Sequence, residues 1–106
     1  MYYDKLVRDY VPDHIRADGH DPVTRILSEE EGQAYALKKL AEEVKEFIAD
    51  PTLEERADIA AVLKLVDRLF GFGRHNVGVA IDEKAASHGE FNEMICLVEV
   101  KEVATD

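Results

Sequence analysis

The sequence predicts a mainly α-helical protein built on two long amphipathic helices. Apolar residues recur every three or four positions between residues 37 and 48, which is the pattern of a helix with one buried face. A second run of the same kind lies between residues 59 and 70, shortly after Asp50-Pro51. Because the connection between the runs is so short, we expect an antiparallel helix hairpin.

The composition indicates one folded domain over residues 1–106 and limits its partners. Hydrophobic residues make up 46 % of the chain, and 23 acidic residues against 13 basic ones give a net charge of −10. This charge disfavours binding to nucleic acid polymers and to anionic membranes. There is no signal-peptide pattern and no apolar run of membrane-spanning length. We expect a soluble cytoplasmic protein whose single cysteine, Cys96, is a core residue.

Short elements are predicted at both ends of the chain. Residues 1–9 are expected to be extended or irregular, and a short helix is predicted over 11–17, with Pro12 in its first turn and Asp18-Gly19 at its end. The alternating, β-branched stretch 23–27 predicts a short strand. The apolar stretch 94–103 predicts a final strand that pairs with it.

The first long helix is predicted to begin at Ser28, which with Glu31 has the spacing of a capping box. At about 100° per residue, Glu42 and Glu46 point away from its apolar stripe and Glu43 lies on the flank of that stripe. The predicted stripe consists of Leu37, Leu40, Ala41, Val44, Phe47 and Ile48.

The second long helix is predicted to begin with Asp50 as N-cap and Pro51 in the first position, and to end at Gly71 or Gly73. Glu55 falls inside its apolar stripe and Asp58 on the shoulder. That stripe consists of Ile59, Val62, Leu63, Val66, Leu69 and Phe70. A further helix is predicted over 79–87, ending at Gly89.

Two pairs of carboxylates, each at i, i+3 spacing, form the candidate site: Glu43 with Glu46, and Glu55 with Asp58. In a hairpin both pairs lie at the same end. Four carboxylates in one place repel one another unless a cation joins them, and Mg²⁺ prefers such hard oxygen ligands, with Mn²⁺ as the alternative. The competing interpretation of the first pair is a solvated helix face. The competing interpretation of Glu55 is that it closes a capping box with Thr52.

Oligomerisation is predicted from the same helices. Two amphipathic helices cannot cover all of their apolar surface between themselves. We therefore expect a homodimer or homotetramer in which the hairpins form a helix bundle.

Four motifs in order resemble one enzyme superfamily. They are Lys5-Leu6-Val7-Arg8-Asp9 followed by Pro12, then Pro22–Leu27, then Glu42-Glu43-x-x-Glu46 with Glu55-x-x-Asp58, and finally Lys84, His88, Gly89 and Phe91. Together they are similar to the MazG-like all-α nucleoside triphosphate pyrophosphohydrolases, and more closely to the phosphoribosyl-ATP pyrophosphohydrolase-like branch. The chain departs from that pattern in a short gap between Glu46 and Glu55, in Tyr10 where a lysine is usual, and in His88 where an arginine is usual.

The resemblance implies Mg²⁺-dependent cleavage between the α and β phosphates of a nucleoside triphosphate, releasing a nucleoside monophosphate and pyrophosphate in a nucleotide-pool or house-cleaning role. It also implies roles for individual residues. Those roles are metal ligation by Glu43, Glu46, Glu55 and Asp58, catalysis by Glu42 and Glu43, and phosphate binding by Lys5, Arg8, Lys84 and His88.

Two alternatives remain open. The departures from the pattern favour a non-catalytic regulatory module that binds metal or nucleotide. The other alternative is phosphoribosyl-ATP hydrolysis in histidine biosynthesis, which is less favoured because Lys5-Leu6-Val7-Arg8-Asp9 points to the branch that is only similar to that enzyme.

Overall fold

The computed structural model describes residues 1–104, and within that range the secondary structure consists of four helices. They are α1 (Val11–Ala17), α2 (Glu29–Ala49), α3 (Leu53–Phe70) and α4 (Arg74–His88). The mainly α-helical class is confirmed. Contacts divide the chain into a first compact unit, Met1–Arg74, and a second that begins at His75. None of the helices in the described range combines the length and apolar character needed to cross a membrane.

The two predicted β segments are wrong, since residues 1–104 contain no strand. A strand is stable only when its backbone groups pair with a neighbour, and neither segment has such a partner. In the first, Val23 and Ile26 remain 95 % and 96 % exposed, so their alternation buries nothing. In the second, every residue from 94 to 103 is exposed. The prediction of Cys96 as a core residue is wrong for the same reason.

The starts of α1 and α2 follow the predicted signals. α1 has Pro12 in its first turn, and Gly19 takes the left-handed backbone (φ 85°) that ends the segment. Ser28 caps α2: its Oγ accepts from the Glu31 N–H at 3.1 Å, and its own N–H donates to the Glu31 carboxylate at 3.2 Å. The Ser28 N–H is the main cause of the lowered pKa of Glu31. The second cause is the Arg25 guanidinium, which lies 2.9 Å from the Glu31 carboxylate.

The link between α2 and α3 differs from the prediction in its caps. Asp50 closes α2, with its N–H donating to the Glu46 carbonyl, and does not cap α3. Thr52 caps α3 instead, because its hydroxyl accepts from the Glu55 N–H at 3.2 Å. α3 therefore begins at Leu53 rather than at Pro51, and it ends at the left-handed Gly71 (φ 73°), which is one of the two predicted positions.

α2 and α3 pack against each other. Near the start of α2, the Gln33 side-chain amide donates to the Leu69 carbonyl near the end of α3 at 2.9 Å. Near the end of α2, Glu43 approaches Glu55 in the first turn of α3. The two helices therefore run in opposite directions, and their acidic segments lie at the end where the chain turns.

The buried face of α2 contains only Leu40 and Phe47 of the predicted stripe and is shifted by one residue, towards Ala36 and Glu43. Its least exposed row is Ala36, Leu40, Glu43 and Phe47, at spacings of four, three and four. The adjacent row, Leu37, Ala41, Val44 and Ile48, is exposed. Glu43 thus lies within the buried row, and its predicted position on the flank is wrong. In α3, Val66 is the one buried residue, and it is 8 % exposed.

α4 is longer than predicted, since it begins at Arg74 rather than at residue 79. Gly78 lies inside it. A glycine costs a helix only about 1 kcal/mol relative to alanine, which does not break a helix of this length. The predicted end is confirmed by Gly89, which has a φ of 82°.

Candidate metal centre

Three carboxylates from the two long helices converge on one point. Glu43 comes from α2, and Glu55 and Asp58 come from the start of α3. Each offers one oxygen, and these oxygens all lie within 4.8 Å of one another. Glu43 is only 5 % exposed, whereas Glu55 and Asp58 are half-buried. This arrangement could hold a metal ion.

Two oxygens in this cluster lack hydrogen-bond partners. They are Glu43 Oε2 and Glu55 Oε2, both of which are buried. A buried polar atom without a partner typically destabilises a protein by about 1–3 kcal/mol. A cation between these carboxylates would be coordinated by both oxygens.

The capping-box interpretation of Glu55 accounts for its backbone but not for its side chain. Its N–H donates to the Thr52 hydroxyl. The return bond of a capping box would run from the Thr52 N–H to the Glu55 carboxylate, but that N–H donates instead to the Asp50 carbonyl at 2.8 Å. The Glu55 carboxylate is therefore directed to the cluster.

Partial burial and crowding of negative charge raise two pKa values in the cluster. Partial burial is the main cause of the raised pKa of Glu55, followed by the charges of Glu46, Asp58 and Glu43. The pKa of Glu46 is raised above all by the charge of Glu43. Glu46 is exposed and is not one of the three residues whose oxygens converge, but these couplings place it beside them.

Three cations partly neutralise the cluster. Lys39, whose side chain is 16 % exposed, lies 3.2 Å from Glu43 Oε1 and 3.8 Å from Glu42 Oε2. Lys5 lies 3.6 Å from the other oxygen of Glu42. Arg8 donates to Asp58 Oδ1 at 2.7 Å. Glu42 therefore faces two lysines and lies outside the group of three converging carboxylates.

The sequence contains a signal for the contacts of Lys39 but none for the contact of Arg8. Lys39 is missing from the predicted site, although its spacing of three and four residues from Glu42 and Glu43 is the ordinary signal for contact on one helix face. Arg8 was predicted to bind phosphate. Nothing in the spacing indicates its bond to Asp58, which lies 50 residues away.

The remaining predicted site residues, Lys84 and His88, lie on α4 in the second unit. The Ser87 hydroxyl is 2.6 Å from Nδ1 of His88, and it donates to the carbonyl of Lys84. Their role in phosphate binding stays a prediction.

Comparison with known proteins assigns no family. No family model matches the chain, and no solved structure matches it. A protein of Mycolicibacterium smegmatis is 50 % identical over 48 residues, which are 45 % of this chain and 49 % of that protein. The match thus spans about half the length of a relative that is described only as an uncharacterized protein. The resemblance to MazG-like enzymes stays a prediction.

Proposed function

We propose that the protein is a Mg²⁺-dependent nucleotide pyrophosphohydrolase that cleaves between the α and β phosphates. The observation that carries the proposal is the pair of buried, unpartnered oxygens on Glu43 and Glu55, within a group of three converging carboxylates. Such a donor set suits a hard divalent cation, Mg²⁺ or Mn²⁺. The ordered motifs that resemble the MazG-like enzymes support the nucleotide as substrate.

The residues of the chain have distinct roles in this proposal. Glu43, Glu55 and Asp58 would hold the cation, with Glu46 beside them as a further ligand. The cation supplies charge neutralisation at the phosphate oxygens and Lewis acidity. Glu42, whose side chain is 35 % exposed, would accept a proton from the attacking water while Lys5 and Lys39 fix its position.

A pocket beside the cluster suits an anionic substrate. It is lined by Asp4, Lys5, Leu6, Tyr35, Lys38, Lys39 and Glu42. Three lysines and two acids give this lining a formal charge of +1, in a chain with a net charge of −10. They would meet the phosphates, together with Arg8.

The test is the release of pyrophosphate from a panel of NTPs and dNTPs in the presence of Mg²⁺. We expect at least one nucleotide to yield equal amounts of pyrophosphate and nucleoside monophosphate. Asp58→Asn and Glu46→Gln should reduce the rate, and Glu30→Gln, an exposed substitution on the same helix as Glu46, should leave it unchanged. If the wild type releases nothing from any nucleotide, or if Asp58→Asn equals it, the proposed activity is wrong.

The two alternatives predict different results. A non-catalytic module would be stabilised against heat by Mg²⁺ or nucleotide without turnover. A phosphoribosyl-ATP pyrophosphohydrolase would restore growth of a histidine auxotroph that lacks this enzyme.

We also propose a homodimer or homotetramer in which paired hairpins form a helix bundle. The exposed row of α2 supports it, because Leu37, Val44 and Ile48 are 47 %, 38 % and 74 % exposed at helical spacing. Light scattering would measure the mass in solution. A monomer at micromolar concentration would contradict this assembly.

A further inference from the structure

The N-terminal segment, residues 4–8, is tied to the long helices by side chains. The Tyr35 hydroxyl donates to Asp4 at 2.8 Å, Lys5 pairs with Glu42, and Arg8 donates to Asp58. The segment has no helix or strand hydrogen bonds of its own. These side-chain contacts help to hold the segment in place, and two of them are made to acidic residues of the cluster.

The balance of charge in the cluster leaves room for one divalent cation. Three positive side chains face five carboxylates, so the formal charge is two units negative. The positive groups are Lys5, Arg8 and Lys39, and the carboxylates are Glu42, Glu43, Glu46, Glu55 and Asp58. Without a metal ion, the protein's own cations do the neutralising.

Of the three cations, Arg8 alone is bound to one of the converging carboxylates by a contact that is easily broken. Lys39 is held against Glu43 on its own helix and is mostly buried. Lys5 is bound to Glu42, outside the converging group. The Arg8 side chain is 64 % exposed, and exposed ion pairs are typically worth no more than about 1 kcal/mol. A divalent cation bound by Asp58 would repel this guanidinium at close range.

We propose that Arg8 is an exchangeable counter-ion of the metal site. In the metal-free protein its guanidinium holds Asp58, and a divalent cation displaces it, which loosens residues 4–8 from α3. The displaced guanidinium is then free to bind a phosphate of an incoming nucleotide. This inference rests on the metal site of the proposed function, but not on turnover.

Metal titration calorimetry without nucleotide tests the exchange. Removing a competing cation should make Arg8→Gln bind Mn²⁺ about two- to fivefold more tightly than the wild type, as expected for the loss of an exposed ion pair. Lys5→Gln is the matched control, because it removes the same charge from the same segment without freeing Asp58. Its gain should be clearly smaller. Arg16→Gln, which removes a charge paired with Asp13, should show no gain.

A second measurement follows the guanidinium itself. In the wild type, the NMR signal of the Arg8 side-chain N–H, assigned by its loss in Arg8→Gln, should shift and lose protection from solvent exchange when Mg²⁺ is added. A purely structural role for Arg8 would leave this signal in place.

The outcomes separate the two proposals. If the wild type binds metal but Arg8→Gln binds it equally or more weakly, or gains no more than Lys5→Gln, Arg8 is a fixed support for Asp58. The exchange is then wrong, and the metal site stands. If the wild type binds neither Mn²⁺ nor Mg²⁺, the exchange and the proposed function are both wrong.

Discussion

Replacing Glu43 by glutamine should make the protein more stable than the wild type without metal and less stable than the wild type with metal. Without metal, the wild type holds a buried carboxylate oxygen that has no partner. Glutamine keeps the shape of the side chain, removes one of several crowded negative charges, and offers an N–H₂ group to the neighbouring carboxylates. The metal-free variant should therefore be more stable than the metal-free wild type.

The magnitude follows from the contacts of the two oxygens. Relief of one unpartnered buried oxygen is worth about 1–3 kcal/mol. Weakening of the charged contact between Oε1 and Lys39, at 3.2 Å and mostly buried, offsets about 1 kcal/mol of that. A net gain of about 1 kcal/mol raises Tm by roughly 4–8 °C in a domain of this size. With Mg²⁺ at about 100 times its Kd, the wild type gains about 2.7 kcal/mol, whereas a variant that has lost a ligand gains little.

The assay is thermal unfolding followed by circular dichroism, in EDTA and in excess Mg²⁺. Glu43→Gln should melt above the wild type in EDTA and below it in Mg²⁺. Glu30→Gln, an exposed substitution in the first turn of α2, should change Tm slightly and by the same amount in both buffers. A Glu43→Gln variant that is less stable than the wild type in EDTA, or equally stabilised by Mg²⁺, would refute the reasoning.

Three further predictions concern charge, the exposed row and the core. The raised pKa of Glu46 favours the folded state at low pH, and this contribution is lost as pH rises through the raised value. Metal-free Glu46→Gln, whose side chain does not titrate, should therefore gain stability relative to the wild type as pH rises above the ordinary value of 4.5, measured as a difference in Tm. Val44→Lys should halve or quarter the mass measured by light scattering while the circular dichroism stays helical, and an unchanged mass would contradict burial of that row in an assembly. Ala36→Leu should lower the free energy of unfolding in urea by about 1–3 kcal/mol, because Ala36 is completely buried where α2 meets α3, and a neutral result would show that the contact can expand.

Local sequence signals predicted the helix ends better than they predicted structure that depends on distant parts of the chain. The Ser28 capping box, Pro12 and Gly71 mark helix ends through contacts within a few residues, so the sequence contains all the information needed. The strand predicted over 23–27 failed because a strand depends on a partner elsewhere in the chain, which alternation alone does not reveal. The α3 cap shifted because Asp50 and Thr52 are both good N-caps and lie two residues apart.

The sequence predicted the three carboxylates of the candidate site, but it did not predict how they are buried or which basic residues they contact. The i, i+3 pairs and the short connection were sufficient to bring Glu43, Glu55 and Asp58 together. The burial of Glu43 was missed because apolar residues follow two adjacent rows of α2, and periodicity does not show which row meets α3. The bond from Arg8 to Asp58 joins a segment without regular structure to a helix, so no spacing rule could predict it.

Anomalous diffraction from a crystal soaked in Mn²⁺ tests the central claim, that Glu43, Glu55 and Asp58 form one divalent cation site, most directly. We expect a single strong peak between these side chains, at about 2.0–2.3 Å from at least one oxygen of each, as for hard divalent cations bound by carboxylates. The same soak of Asp58→Asn should give a much weaker peak. Full occupancy elsewhere on the protein, with no peak between the three carboxylates, would contradict the claim.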